Sequence, residues 1–208
     1  MFSKSFQLMT KGNSLKAMSS LAEVSSKISE GEFLQMSNEQ NISISTKEYI
    51  NIISLKTAEL FGAAMKIPAI LTNKDEKLIE KLNTLGINYG IIFQIIDDKL
   101  DYFGGKETGK KKGQDFLEGK MTLPIILLLK KVSKTEKEKI IQIFKKNTRT
   151  KKEFKDTIQL LNKYEVDKEC IKFVENLSLK SHKILSTFKN KQSQLLKELL
   201  TNSIIRKN

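Results

Sequence analysis

In 208 residues the sequence has no tryptophan, one cysteine, one histidine, two prolines and two arginines. Each scarcity excludes a class of mechanism. A single thiol, Cys170, permits neither an internal disulfide nor a cysteine metal cage, which points to a reducing compartment and makes the cytoplasm the expected location. With His182 as the sole imidazole, zinc sites built on several histidines are excluded, and a Ser-His-Asp triad is conceivable only through that residue. Acid or metal chemistry must come from Asp, Glu and Lys. The longest apolar stretches, around 91–96 and 124–129, fall far short of the roughly 20 residues that cross a bilayer. No apolar signal segment is visible near Met1 either, so neither targeting nor a membrane span is expected.

What the chain has in excess is lysine. Lys outnumbers Arg 35 to 2 and the formal net charge is +13, a balance that first points to nucleic acid or an anionic surface. The charge is unevenly placed. Residues 1–129 carry 16 Lys+Arg against 15 Asp+Glu, whereas residues 130–208 carry 21 against 9. Few aromatics and almost no guanidinium groups interleave the C-terminal lysines, so stacking recognition of nucleic acid is not expected. A basic helical nucleic-acid-binding module stays as the alternative from another class.

Proline is confined to Pro68 and Pro124, strand-type alternation is almost absent, and Leu, Ile, Lys and Glu dominate; the chain reads as all-α. Helices are expected over Leu15–Ser29, over Thr46–Ile67 with Ser45 or Thr46 as cap and Pro68 as its end or kink, and over Asp75–Phe103. In the last of these, Leu78, Leu82, Leu85, Tyr89, Ile92, Ile96, Leu100 and Phe103 repeat at steps of three and four, which predicts one buried face. Gly86 and Gly90 each cost about 1 kcal/mol there relative to Ala, so a close helix contact or a ligand should compensate. A Gly- and Lys-rich loop is expected over Gly104–Lys120, then an apolar helix opened by Thr122 and Pro124. Lys-rich amphipathic segments follow, with breaks near Asn147–Thr150 and Val166.

The sharpest feature is Phe93-Gln94-Ile95-Ile96-Asp97-Asp98-Lys99-Leu100-Asp101. At 100° per residue, Asp97, Asp98, Asp101 and Gln94 fall within an arc of roughly 100°. Carboxylates so close repel unless solvent or a cation compensates, and Mg2+ prefers a few carboxylates completed by water and phosphate oxygens. The alternative is a solvated acidic helix end. Lys56 interrupts the apolar stripe of the 46–67 helix, so its ammonium should point inward; Glu59, snorkelling to solvent, or an anionic ligand would each satisfy it. The loop around Lys110 and Lys120 adds flexible backbone and ammonium groups just beyond the acidic cluster. Acid cluster, inward lysine and cationic loop together point to a metal-bridged diphosphate site.

These residues resemble the trans-isoprenyl (polyprenyl) diphosphate synthases, most closely their long-chain, octaprenyl-type bacterial members. The family's second Asp-rich motif, FQ-x-x-DD-x-x-D, matches Phe93, Gln94, Asp97, Asp98 and Asp101. Its K-T-A-x-L-F motif matches Lys56, Thr57, Ala58, Leu60 and Phe61. The stretch G-K-x-x-G-x-D-x-x-x-G-K-x-T-L-P matches Gly109, Lys110, Gly113, Asp115, Gly119, Lys120, Thr122, Leu123 and Pro124, and GE-x-x-Q matches Gly31, Glu32 and Gln35. The resemblance implies an isoprenoid-synthase-type helix bundle that joins isopentenyl diphosphate to an allylic prenyl diphosphate, giving a longer all-trans polyprenyl diphosphate. It implies that Asp97, Asp98 and Asp101 bind Mg2+, that Lys56, Lys110 and Lys120 bind the allylic diphosphate, and that Lys56, Thr57 and Gln94 act at the reacting centre.

One departure stands out. The family's first Asp-rich motif, DD-x-x-(x-x)-D followed by Arg-Arg, occurs nowhere in these residues. Phe2–Met9 resembles a segment that the family places after that motif. The expectation is therefore a single partial helical domain over 1–208, with motifs in 1–130, lysine-rich helices in 131–208, and the N-terminal helices of the bundle missing. Its partner would be an N-terminal synthase fragment or another copy or subunit in an oligomer. A non-catalytic synthase subunit and a gene remnant are the further alternatives; a terpene cyclase is disfavoured because its second metal motif is not evident downstream.

Overall fold

The computed structural model describes residues 2–105 and 112–205, and among them every regular element is helical. In chain order these are α1 Phe2–Lys11, α2 Leu15–Ser37, α3 Thr46–Ile53, a π-helical turn Ser54–Ala58, α4 Glu59–Leu71, α5 Glu76–Phe103, α6 Gln114–Glu118, α7 Leu123–Lys131, α8 Lys134–Phe144, α9 Lys151–Lys163, α10 Val166–Leu185 and α11 Lys191–Ile205. None is long and apolar enough to cross a membrane.

Caps mark most of the starts. Ser45, Ser133 and Thr150 each accept from the backbone N–H three residues on, while Glu48, Glu136 and Glu153 reach back to the cap, closing reciprocal capping boxes. Asp75 caps α5 by accepting from the Leu78 N–H at 2.9 Å. Pro68 lies inside α4, which continues to Leu71, and Pro68 is exposed.

Two expectations about helix extent are corrected. The helix from Leu15 does not stop at Ser29 but runs through Gly31 and Gln35 to Ser37. Gly31 is a packing site: a Cβ there would lie 2.4 Å from the Lys56 backbone N and 2.8 Å from its Cα. The 46–67 segment is helical throughout but widens into the π turn at 54–58. Such a turn inserts an extra residue into the ladder and re-aims the side chains on it; here it carries Lys56 and Thr57.

The long helix α5 is central, and it is buried on more than the single stripe that its Leu/Ile repeat predicts. Leu85, Ile92 and Ile96 are buried as expected, but so are Ile79, Ile91, Ile95, Asp98, Lys99 and Tyr102, while Leu78, Leu82, Tyr89, Leu100 and Phe103 are only half-buried. Helices α4, α10, α7 and α11 and the π turn all pack on it. A helix surrounded this way loses its one-sided pattern. Gly86 and Gly90 lie at the crossing with α4: a Cβ at Gly86 would be 2.4 Å from the Phe61 carbonyl oxygen, and one at Gly90 would be 2.5 Å from the Ala58 Cα. Close helix contact, rather than a ligand, accounts for both glycines.

The main apolar cluster joins Tyr49, Ile53, Ile92, Ile95, Phe116, Leu123, Leu128, Ile140, Phe144, Leu161 and Val174. It thus ties α3, α5, α6 and α7 to the lysine-rich helices α8 to α10. The expected breaks fall where they should, between α8 and α9 and at Val166. The loop after α5 differs from expectation, because α6 forms within it.

Candidate diphosphate and metal site

The C-terminal end of α5, the π turn, α2 and α6 converge. Gly31 lets α2 cross directly over the π turn, and this brings the side chains one and four residues further along α2 onto Lys56. Its Nζ donates to Gln35 Oε1 at 2.6 Å and pairs with Glu32 Oε2 at 3.1 Å. Lys56 thus points inward as expected, but Glu59 is not its partner; Glu59 pairs with Lys27 at 3.3 Å. With its side chain 25% exposed, Lys56 stays reachable from solvent.

One residue on, Thr57 Oγ1 donates to Gln94 Oε1 at 2.8 Å. The Gln94 amide then donates through Nε2 to Asp98 Oδ1 at 2.8 Å, and the other Asp98 oxygen accepts from the Tyr49 hydroxyl at 2.6 Å. This chain of polar contacts spans α3, the π turn and α5. Asp98 is almost fully buried. Burial and the nearby Asp115 charge push its pKa up to about 7 against the opposing hydrogen bonds from Tyr49 and Gln94.

Asp101 faces the other way along the cluster. Its Oδ1 accepts from the Gln114 N–H at 3.0 Å and its Oδ2 from the Asp115 N–H at 3.2 Å, so it caps the start of α6 from a distance. Partial burial and the Asp115 charge raise its pKa to about 6, opposed by those two backbone donors. Lys120 closes the loop, pairing with Glu118 Oε2 at 2.6 Å and Asp115 Oδ1 at 3.2 Å. Burial works against its charge, yet these carboxylates outweigh it and hold its pKa above the ordinary lysine range. Asp97 is half-buried and borders a small recess with Phe93, Ile96 and Ser203 of α11. Lys110 and Gly109 lie outside the described residues.

Asp97, Asp98 and Asp101 lie on the uninterrupted helix α5 as expected, but their side chains turn to different partners. Among the described residues no three acidic side chains converge to cage a cation. The reason is the burial of α5: Asp98 is enclosed against Tyr49, Asp101 is drawn to α6, and Asp97 lies nearer α11. Burial and the Asp115 charge together raise the proton affinity of Asp98 and of Asp101. That surplus of negative charge suits a divalent cation held by one or two carboxylates and by ligand oxygens.

Tyr49 was legible only as an apolar stripe position; no periodicity signals its hydroxyl contact. Asp115 stands inside the matched loop motif, but its influence on the other two acids emerges only from the fold. A groove of about 630 Å³ lined by Leu15, Ser20, Lys66 and Ile79 lies elsewhere and contains none of the motif side chains. Cys170 is fully buried, its thiol pushed up to about 12 by burial and by Asp167, so it is an inert core residue.

Comparison with known proteins follows the same residues. The Polyprenyl synthetase family model matches residues 1–161. The octaprenyl diphosphate synthase of Escherichia coli K12 is 39% identical over 126 residues, covering 60% of this chain and 39% of that protein. The geranylgeranyl diphosphate synthase of Sulfolobus acidocaldarius is 31% identical over 188 residues, covering 86% of this chain and 56% of that one. The chain thus spans about half the length of such relatives, or less. Among solved structures, a polyprenyl synthase from Caulobacter crescentus CB15, complexed with calcium and isoprenyl diphosphate, superposes with a TM-score of 0.91 at 34% identity, covering 100% of this chain and 64% of its own. A decaprenyl diphosphate synthase from Rhodobacter capsulatus gives a TM-score of 0.90 at 31% identity, with the same coverages of 100% and 64%.

Proposed function

The chain belongs to the polyprenyl synthetase family, and on that premise we propose that it supplies the allylic-diphosphate half of a prenyltransferase site. The reaction is condensation of isopentenyl diphosphate with an allylic prenyl diphosphate. The allylic C–O bond breaks with its electron pair leaving on diphosphate, the isopentenyl double bond forms the new C–C bond, and the proton lost from isopentenyl carbon passes to the departing diphosphate. One longer prenyl diphosphate and one free diphosphate result.

A single observation carries this reading: four separate motifs meet at one end of α5 through Lys56–Gln35, Thr57–Gln94–Asp98 and Asp101–Asp115–Lys120 contacts. Lys56 and Lys120, with Lys110, would bind the allylic diphosphate by charge-assisted hydrogen bonds. The present partners of Lys56 and Lys120, namely Glu32, Asp115 and Glu118, hold those two ammonium groups in place until an anion arrives. Thr57 and Gln94 orient one another beside the reacting carbon. Mg2+ would be held by Asp97 and Asp101, with Asp98 fixed by Tyr49 and Gln94 as the rigid member of the triad. When bound, the cation neutralises charge developing on the leaving diphosphate.

The other half of the site, including acids for further Mg2+ and groups for isopentenyl diphosphate, would come from a segment bearing the first Asp-rich motif. Incorporation of labelled isopentenyl diphosphate into longer prenyl diphosphates tests this. We expect it only when a polypeptide carrying that motif is added, and lost in Asp97→Ala. Turnover by the purified 208 residues alone would refute the need for the second segment. The family's first motif is missing from these residues, which also favours a non-catalytic subunit; no turnover in any combination, with intact binding to a complete synthase, would select that role.

A further inference from the structure

Arg149 is a buried charged group that the diphosphate reading leaves unused. It is one of two arginines against 35 lysines, it is only 7% exposed, and it stands immediately before Thr150, the cap of α9. Its guanidinium bridges two helix C-termini. Nη1 donates to the Leu117 carbonyl of α6 at 3.2 Å, and Nη2 to the carbonyl of Phe144, the last residue of α8, at 2.9 Å. Carbonyls at helix ends lack intrahelical partners and attract cations. The Phe144 ring centroid lies 5.2 Å from Cζ, adding a cation–π contact.

The strap that Arg149 holds is α6 with its flanking glycines. Gly113 and Gly119 both have φ of +78°, where a Cβ is disfavoured. A Cβ on Gly119 would also lie 2.4 Å from Arg149 Nη2, and one on Gly113 would lie 2.9 Å from the Phe154 ring. Between them Phe116 is fully buried, edge-on to Phe144 with centroids 5.5 Å apart. The lysine-rich helices thus build the wall against which the strap is pressed.

We propose that Arg149 is the positioning residue for the Asp115–Lys120 arm of the diphosphate site, an assignment that rests on the reading of Lys120 as a diphosphate ligand. A planar, weakly hydrated fork reaches two carbonyls at once; a lysine ammonium is a compact, strongly hydrated point charge that would satisfy one and resist burial. In a chain that uses lysine almost everywhere else, this one position needs the fork.

The test compares the full chain with Arg149→Lys and Arg149→Gln by peptide-resolved amide hydrogen exchange and by calorimetric titration with inorganic pyrophosphate in Mg2+. Exchange across 113–120 should rise about tenfold in both variants while 76–103 keeps its protection, and pyrophosphate affinity should fall at least severalfold. Unchanged exchange across 113–120, or an equal rise in α5, overturns the assignment. Arg149→Gln, whose short amide keeps no charge and cannot span both carbonyls, decides the matter if Arg149→Lys does not fold. Lack of pyrophosphate binding by the unaltered chain instead overturns the diphosphate reading, and the exchange data then still decide whether Arg149 clamps the strap.

Discussion

Raising the pH of the metal-free chain from 5 to 7 should destabilise it, and Asp98→Asn should remove most of that dependence. The folded pKa of Asp98, pushed up to about 7, lies above the roughly 3.9 of an unfolded aspartate. Between those values the folded state binds the extra proton, so unfolding free energy falls as pH rises, by at most about 1.4 kcal/mol per pH unit for one group. Over pH 5 to 7 the loss should be about 2 kcal/mol, with a smaller contribution from the less buried Asp101. Below about pH 4.5 the trend reverses, because Glu136 and Glu153, held near 2 by Lys163 and Lys146 respectively, lose their pairing on protonation. Maximum stability is therefore expected near pH 5. Urea denaturation followed by far-ultraviolet circular dichroism in a buffer series gives the slope directly. Asn is the right replacement: its oxygen still accepts from Tyr49, and Gln94 can turn over to accept from its amide while donating to the Thr57 hydroxyl. Rising stability from pH 5 to 7, or an unchanged slope in Asp98→Asn, would show that the buried carboxylate does not carry the extra proton.

Three further outcomes follow from the same geometry. Mg2+ added at pH 6, where Asp101 is about half protonated, should raise the melting temperature and release protons, as cations do when they bind protonated acids; scanning calorimetry should show this response lost in the double variant Asp97→Asn, Asp101→Asn, and its persistence would move the cation elsewhere. Lys56→Met should cost under about 1 kcal/mol of stability, since its pair with the exposed Glu32 is partly solvated, yet weaken Mg2+–pyrophosphate binding about tenfold or more; a larger stability loss than binding loss would make Lys56 structural. Gly86→Ala should destabilise by about 1–3 kcal/mol, despite the better helix propensity of Ala, because its Cβ would meet the Phe61 carbonyl oxygen at 2.4 Å; an unchanged urea midpoint would mean that α4 and α5 can separate without penalty.

The helical class and most helix starts were legible because they depend on local signals: caps such as Ser45 and Asp75, and apolar spacing along α5. Lys56 was legible as an inward lysine, but its partners were not. Glu32 and Gln35 reach it only because Gly31 allows a helix crossing more than 20 residues away in sequence, and a lone glycine reads equally well as a helix end. The π turn gave no local sign, since Ser54–Ala58 has ordinary helical composition. Tyr49 carries its function in one hydroxyl at the end of an apolar ring, which hydrophobic periodicity counts as core.

The charge pattern takes on a different meaning once the helices are in place. The lysine-rich third pairs with its own acids, as in Lys163–Glu136 and Lys131–Glu169, and contributes Phe144, Arg149 and Phe154 to the wall behind α6. Its positive charge does not reach the acids at the end of α5. There, Asp98 and Asp101 still hold protons more tightly than free aspartates because Asp115 faces them and burial leaves them short of compensation. A protein with a formal charge of +13 thus retains a local deficit of positive charge at one place. Solvated lysines on distant helices cannot correct it, because water and salt screen them within about 10 Å. A small cation brought in with an anionic ligand can, and Lys56 and Lys120 stand beside that place already charged and partly exposed. On the proposed function, the same local imbalance that lowers stability toward neutral pH would favour the metal–diphosphate pair over either ion alone.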